Sequence, residues 1–489
     1  MEGPDQNGLQ SYDTISGYIV RFDDYEGYRN SGLISSLDIL WGPAHILSDC
    51  SNIILNVVYL RIIHLLIDSC NFNVQNTNLI KDIATIILGL VQLRDFAYKY
   101  DLVAPVNTMI IYYAALVIIR HVIVIRGGAY VPSLFTTLLA APLFVNEYYI
   151  FAHQRQNLTT VRSILACLIM KSSSIILTPG IPIKNISSRV AYLLHPAASV
   201  FGVWQPIETA GTRRHINDAS RQFSRFKQQV CIALVYSFKT IIILIIYVNL
   251  AELASFVDSV MDHAFVKTLL RMYFVALEFR TSHYFTGFVS TSLISLWQDP
   301  AVKERFVVCQ PIKIECPRSL LEVVRFWNLP MHYWLKHHVF WPVKQHTSSI
   351  YISLGLTYIV SSTLHGCKFH IWAVLLTLGF LTWTEHQLRL EISRRLSACV
   401  LSSRCKYNSR SECCRGHQRN PNNSFIVQLV NLAFTILAMI YLAYLGYIFV
   451  GNTDEASYTK ALARWSEVYF FAHLTSIATY ISLRAVQTQ

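Results

Sequence analysis

Charge is scarce in this chain. Of 489 residues, 14% are Asp, Glu, Lys or Arg and 53% are apolar, with a mean hydropathy of +0.37, whereas soluble domains carry about 25% charged residues. That shortage excludes an ordinary soluble domain and leaves a polytopic membrane protein. A basic start followed by a short apolar core is also missing. Residues 1–31 are polar and acidic, with Glu2, Asp5, Asp13, Asp23, Asp24 and Glu26, so no cleavable signal peptide is read there. Internal repeats, heptad runs and low-complexity stretches are absent, so the chain reads as one membrane domain with short tails. The 11 cysteines cannot all pair within one chain. Cys399, Cys405, Cys413, Cys414 and His417 crowd one basic loop, but Cys405-x7-Cys413-Cys414-x2-His417 lacks the regular short pairs of a zinc site. They are read as free or lipidated thiols, and no metal is expected.

Apolar runs, in contrast, are abundant. They recur at about 51–67, 83–98, 103–125, 129–151, 158–178, 187–204, 229–256, 265–297, 349–366, 369–385, 424–450 and 466–484, each near or above the ~20 residues a spanning helix needs. With some of these tilted or re-entrant, the expectation is an all-α polytopic transmembrane helical protein of about 11 crossings. The formal net charge of +12 falls in loops between apolar runs, which excludes nucleic acid as the favoured partner and indicates topology signals and contact with the lipid bilayer. Two basic loops stand out: 213–227, with Arg213, Arg214, Arg221, Arg225 and Lys227, and 394–419, with Arg394, Arg395, Arg404, Lys406, Arg410, Arg415 and Arg419. Loops rich in Lys and Arg face the cytosol, so 394–419 is expected there and the acidic tail on the opposite side. The expected division is a polar tail over 1–31 and a single transmembrane domain over 32–486. A catalytic core is placed at about 280–390 and a basic, Cys-containing cytosolic loop at 392–420.

His365 is the leading functional candidate. It lies within the stretch from Tyr351 to Trp383, whose only full charge is Lys368. An ionisable side chain at membrane depth costs roughly 2.5 kcal/mol or more and is therefore paired, hydrated or used. A continuous helix across that stretch would be about 50 Å long at 1.5 Å per residue, against a hydrocarbon core of ~30 Å. A break near His365-Gly366 is expected, and irregular backbone at that depth is tolerated where it lines a watery cavity. The blander alternative is that His365 hydrogen-bonds a neighbouring helix. His370, five residues on, does not share its helical face. Upstream, Pro330 ends a helix at or before Leu329, leaving Asn328 near a helix end where its amide can address a ligand; Trp327-Asn328-Leu329-Pro330 alone is more often an interfacial anchor.

Together, Pro317-Arg318-Ser319, Trp327-Asn328-Leu329-Pro330, Tyr333-Trp334 and Leu364-His365-Gly366 resemble the membrane-bound O-acyltransferase (MBOAT) family, whose signature is an Asn or Asp followed by a His in an apolar segment some tens of residues later. The likeness is densest over 280–470, including His283-Tyr284-Phe285-Thr286-Gly287-Phe288, Thr384-Glu385-His386 and Trp465-Ser466-Glu467, and is weak over the first 200 residues. Within the family it is closest to the branch that acylates Wnt proteins. The resemblance implies a multi-pass endoplasmic reticulum enzyme with a core around an internal tunnel. Such an enzyme moves a palmitoleoyl group from palmitoleoyl-CoA, a cosubstrate and not a resident cofactor, to a serine hydroxyl of Wnt proteins, enabling their secretion and signalling. His365 is the expected general base and Asn328 the expected positioning or oxyanion partner. Trp327, Tyr333, Trp334, Tyr358, Ser361 and His370 are the weaker substrate-binding candidates; aromatic residues at such depths are more often packing or interface belt.

Other acyl-transfer chemistries fit less well. Lys336-His337-His338-Val339 lacks the Asp and Cys of an Asp-His-His-Cys palmitoyltransferase, and position 370 is His where a His-x4-Asp glycerolipid acyltransferase needs Asp. A lipid acceptor within the same family stays open. So does a transporter using Arg61, His64, Arg120 and His121, although the related halves common in transporters are not found.

Overall fold

The apolar runs become helices because a backbone without water must satisfy its own N–H and C=O groups. The computed structural model describes residues 38–70, 73–126, 132–152, 158–178, 185–200, 203–207, 219–261, 263–297, 307–396, 398–403, 425–449 and 458–487. The acidic tail, Arg213 and Arg214, and the loop holding Cys405, Cys413, Cys414 and His417 lie outside the described residues. The N-terminal half contains α1 (Asp38–Ser69), α2 (Val74–Lys99), α3 (Val103–Ile125), α4 (Pro132–Ala152), α5 (Leu158–Leu177), α6 (Ile186–Leu194) and the single turn α7 (Pro196–Ser199). Two long helices follow, α8 (Ala219–Val260) and α9 (Ala264–Ser295). Short helices α10 (Pro311–Glu315), α11 (Leu320–Trp327), α12 (Leu329–Leu335) and α13 (Trp341–Thr347), with a π-turn at Lys336–Phe340, lead into α14 (Ile350–Leu364) and α15 (Phe369–Leu396). The chain closes with α16 (Phe425–Gly446), α17 (Tyr458–Glu467) and α18 (Phe471–Gln487). No extended strand occurs among the described residues.

Among the described residues, four helical stretches are long and apolar enough to cross a membrane: Cys50–Ser69, Val103–Ile125, Phe223–Tyr247 and Phe425–Gly446. They turn large apolar side chains outward. On α16, for example, Leu429, Leu432, Ile436 and Ile440 form an exposed stripe that suits lipid and not water. Of the other helices, α14 is apolar but shorter, and several carry more polar content and pack inside the bundle. α5 is the extreme case, burying Arg162, Lys171, Ser172, Ser173 and Ser174 together with Ile164, Leu165, Ile175 and Ile176. The apolar run at 187–204 is broken between α6 and α7, where Pro196 takes the first helical position and the His195 ring accepts from Ala197 N.

Two buried clusters organise the bundle. The first joins α3, α5 and α6 through Tyr113, Ile164, Leu165 and Leu193 and reaches Met331, Trp334 and Leu364. The second joins α9, α11, α15, α16 and α17 through Tyr284, Val323, Leu381, Tyr444 and Trp465. α8 packs along α9, α9 against α16, and α15 between α14 and α18. The start of α11 is tied to α15 by charge. Glu385 accepts from Leu320 N at 2.8 Å and from Arg389 Nε at 2.6 Å. Arg389, fully buried, also donates to Val400 O and Arg318 O and lies over the Phe434 ring. Cys399, assigned from sequence to the basic loop, is buried here, and its carbonyl accepts from Arg318.

Candidate active site

α14 ends at Leu364 with His365 as its C-cap, and the His365 N–H still bonds back to Ser361 O and Ser362 O. Gly366 follows with φ +104°, a conformation that side chains other than glycine rarely tolerate. Gly366 N bonds back to Thr363 O at 3.0 Å, and two bonds pin the turn from outside α14: the Trp372 indole to Gly366 O at 2.9 Å and Cys367 N to Glu147 Oε2 at 3.0 Å. His365 is thus held on fixed backbone at an interruption between α14 and α15. Among the described residues, none is hydrogen-bonded to its imidazole.

The Asn328 side is built from caps. Ser319 caps α11 by accepting from Glu322 N at 3.3 Å, while Glu322 Oε2 accepts from Arg318 N at 2.7 Å, close to a capping box. α11 stops at Trp327. Asn328, with φ −140° and ψ 89°, is the hinge between α11 and α12. Its Oδ1 accepts from Met331 N at 3.0 Å, and Pro330 sits in the first turn of α12, where its missing N–H costs nothing. With Oδ1 engaged, the Asn328 amide nitrogen is the end left for a ligand. Trp327 stacks with two rings of α9: His283 at 4.3 Å and 2°, and Phe279 at 5.9 Å and 20°. His283 Nε2 donates to Trp327 O at 2.7 Å, which leaves Nδ1 as the unprotonated nitrogen of a neutral ring.

Both sides open on one cavity of about 940 Å³. Its walls include His365, Asn328, Trp327, Tyr333, Tyr358, Ser361, His283 and Arg162, with apolar surface from Leu364, Met331, Val374, Leu378, Leu442 and Leu445. Members of both buried clusters therefore meet here. Trp334 and His370 are not on this wall. Trp334 is buried with its indole donating to Ser173 at 2.8 Å, and His370 is buried on α15. Lys313, Arg318, Arg325 and Lys336 bring positive charge to the same cavity, with Lys313 paired to Glu322 and Arg318 held by the carbonyls of Cys399 and Leu401. None of Arg61, His64, Arg120 and His121 lines it; His64 is engaged with Lys81 O and Thr85 and Arg61 with Gln229.

His283 and Arg162 are among the wall residues that the sequence did not single out. His283 is visible only as part of an apolar motif, and its stacking on Trp327 spans 44 residues of chain. Arg162 carries no local signal at all.

Residues 212–395 match the model of the MBOAT, membrane-bound O-acyltransferase family. The matched segment is similar to that family and makes up less than half of the chain. It contains α8 to α15, and with them Asn328 and His365. The chain is also similar to the human protein-serine O-palmitoleoyltransferase porcupine, at 37% identity over 229 residues, covering 44% of this chain and 48% of the relative. The Drosophila melanogaster protein of the same name is 36% identical over 228 residues, 43% of each chain. The one from Caenorhabditis briggsae is 26% identical over 303 residues, 61% of this chain and 63% of the relative. Against the human and fly proteins, the chain spans about half the length of the curated relatives it matches.

Proposed function

We propose that this protein transfers a palmitoleoyl group from coenzyme A to a serine hydroxyl of Wnt proteins, as a multi-pass enzyme of the endoplasmic reticulum membrane. The observation that carries the reading is the placement of the His365 imidazole, unengaged by any described residue, on the wall of an apolar cavity shared with Asn328. A serine hydroxyl attacks a thioester only as a base removes its proton, and a neutral imidazole is suited to that task. The Asn328 amide, fixed through its own Oδ1, is available to orient the thioester or to donate to the oxygen where charge develops. The apolar walls suit an acyl chain, and the four cations suit the coenzyme's phosphates. No cysteine on the cavity wall is offered as a nucleophile, so direct transfer without an acyl-enzyme is the simplest course. The relatives named as protein-serine O-palmitoleoyltransferases supply the acyl group and the acceptor residue.

Incubating the purified protein with palmitoleoyl-CoA and a Wnt-derived serine hairpin, then weighing the peptide, tests this. A mass gain of one palmitoleoyl group on the serine is expected. Label that reaches lipid and not peptide transfers the reading to a lipid acceptor, and no transfer to either refutes it.

A further inference from the structure

Arg162 is a charge inside the bundle whose placement the acyl-transfer reading leaves unexplained. It belongs to α5, outside residues 212–395, and is 5% exposed. One edge of its guanidinium is occupied: Nε donates to Glu147 Oε1 at 2.8 Å, and Nη2 lies 2.7 Å from the same oxygen. Nη1 and Nη2 are both buried without a hydrogen-bond partner among the described residues, but Nη2 is still ion-paired to Glu147 whereas Nη1 has neither kind of partner, and Arg162 forms part of the wall of the cavity that holds His365.

Its position relative to His365 is fixed from two directions. A Cβ built on Gly366 would stand 2.4 Å from Arg162 Cζ, so the guanidinium occupies the space that glycine leaves empty. The second oxygen of Glu147 accepts from Cys367 N at 3.0 Å. One carboxylate therefore binds the guanidinium and the His365-Gly366-Cys367 turn into a single unit. A buried donor on a cation that finds no acceptor costs at least about 1–3 kcal/mol, and a polar group kept at a cavity wall at that cost fits a group that enters the cavity. That group must carry an acceptor, which an acyl chain does not, and a cationic donor favours an oxygen that carries or gains negative charge.

We propose that Arg162 is a catalytic residue that donates, through Nη1, to the thioester carbonyl oxygen as it becomes an oxyanion. This rests on the acyl-transfer reading given above. In the step, the serine Oγ forms a bond to the thioester carbon and its proton passes to His365. The oxyanion then re-forms the carbonyl, the carbon–sulfur bond breaks, and coenzyme A leaves with the proton that His365 had taken. Arg162 exchanges no atoms. It is oriented by Glu147 before the substrate arrives, and such pre-set donors need no reorganisation as charge develops. Asn328, on the opposite helix system, is then left to orient the substrate.

The test is peptide acylation with saturating palmitoleoyl-CoA, beginning with the unaltered protein. If that protein transfers nothing, the acyl-transfer reading fails and this inference with it. If it transfers, Arg162→Gln should lower kcat by about 10²-fold or more with KM for palmitoleoyl-CoA nearly unchanged, because the donor acts on developing charge. Arg162→Ala should regain part of its kcat on adding millimolar guanidinium, with no rise in thermal midpoint. A loss confined to KM, a kcat within tenfold of the unaltered protein, or an Arg162→Ala variant that guanidinium cannot rescue would each overturn the assignment while leaving acyl transfer standing.

Discussion

His365 and Gly366 divide the work at the turn between α14 and α15. In the proposed reaction the histidine would supply the chemistry, and the glycine supplies the geometry, since φ +104° and the Arg162 guanidinium both disfavour a Cβ there. Gly366→Ala is therefore expected to cost on the order of 1–3 kcal/mol from backbone strain alone, read as a lowered thermal midpoint in detergent; an unchanged midpoint would show that the turn relaxes freely. His365→Ala removes a side chain facing an open cavity and should leave that midpoint close to the original. Its transfer rate should fall by about 10²–10⁴-fold, the usual worth of general-base catalysis. A folded His365→Ala retaining more than roughly a tenth of the rate is incompatible with a histidine base. Asn328→Ala removes the cap of α12 as well as an amide at the cavity, so it should lower both the rate and the stability, the latter by about 0.5–2 kcal/mol, read as a lowered midpoint.

At the level of helices, α11 and α15 hold Asn328 and the His365 turn in one frame, and Glu385–Arg389 is the joint between them. The pair is buried and bonded on both sides, to Leu320 N and to the carbonyls of Val400 and Arg318. Arg389→Met strands a buried carboxylate, and breaking such a pair costs about 3–5 kcal/mol, whereas replacing both partners with apolar groups is often neutral. Arg389→Met should accordingly unfold far earlier than the double variant Arg389→Met with Glu385→Leu, as followed by thermal aggregation in detergent; equal losses would show that the charges are not coupled. The i,i+4 spacing of Glu385 and Arg389 is visible in the sequence, but its burial is not, because burial depends on α11 and α16 closing over it. The same distinction separates what is legible from what is not elsewhere. The interruption at His365-Gly366 follows from an apolar run too long for one crossing, and the end of α11 before Pro330 follows from proline sterics. The contact of Glu147 with Cys367 joins residues 220 apart, and no local pattern encodes it. Aromatic residues show why composition is a weak guide to a wall: Trp327, Tyr333 and Tyr358 line the cavity while Trp334, one position from Tyr333, points into the neighbouring cluster.

Across the whole molecule, charge is arranged by depth. The outward faces of the four apolar spans carry Leu, Ile, Val and Phe, and most buried ions sit in bonded pairs, which is the arrangement a low-dielectric surround demands. Positive charge that is free to act over distance is left at the cavity mouth. Arg325 and Lys336 are both exposed wall residues with no acidic partner among the described residues, in contrast to Lys313 and Arg318, which are already engaged. Coenzyme A carries several phosphate charges, and clefts lined by one sign of charge raise capture of the opposite sign, an effect that weakens steeply with salt. Neutralising both residues, as Arg325→Gln with Lys336→Gln, should raise KM for palmitoleoyl-CoA several-fold while leaving kcat near its original value, because neither side chain belongs to the His365 turn. Added salt should raise KM of the unaltered protein toward that of the variant and change the variant little. A variant whose KM equals that of the unaltered protein at low salt would mean that the coenzyme enters elsewhere.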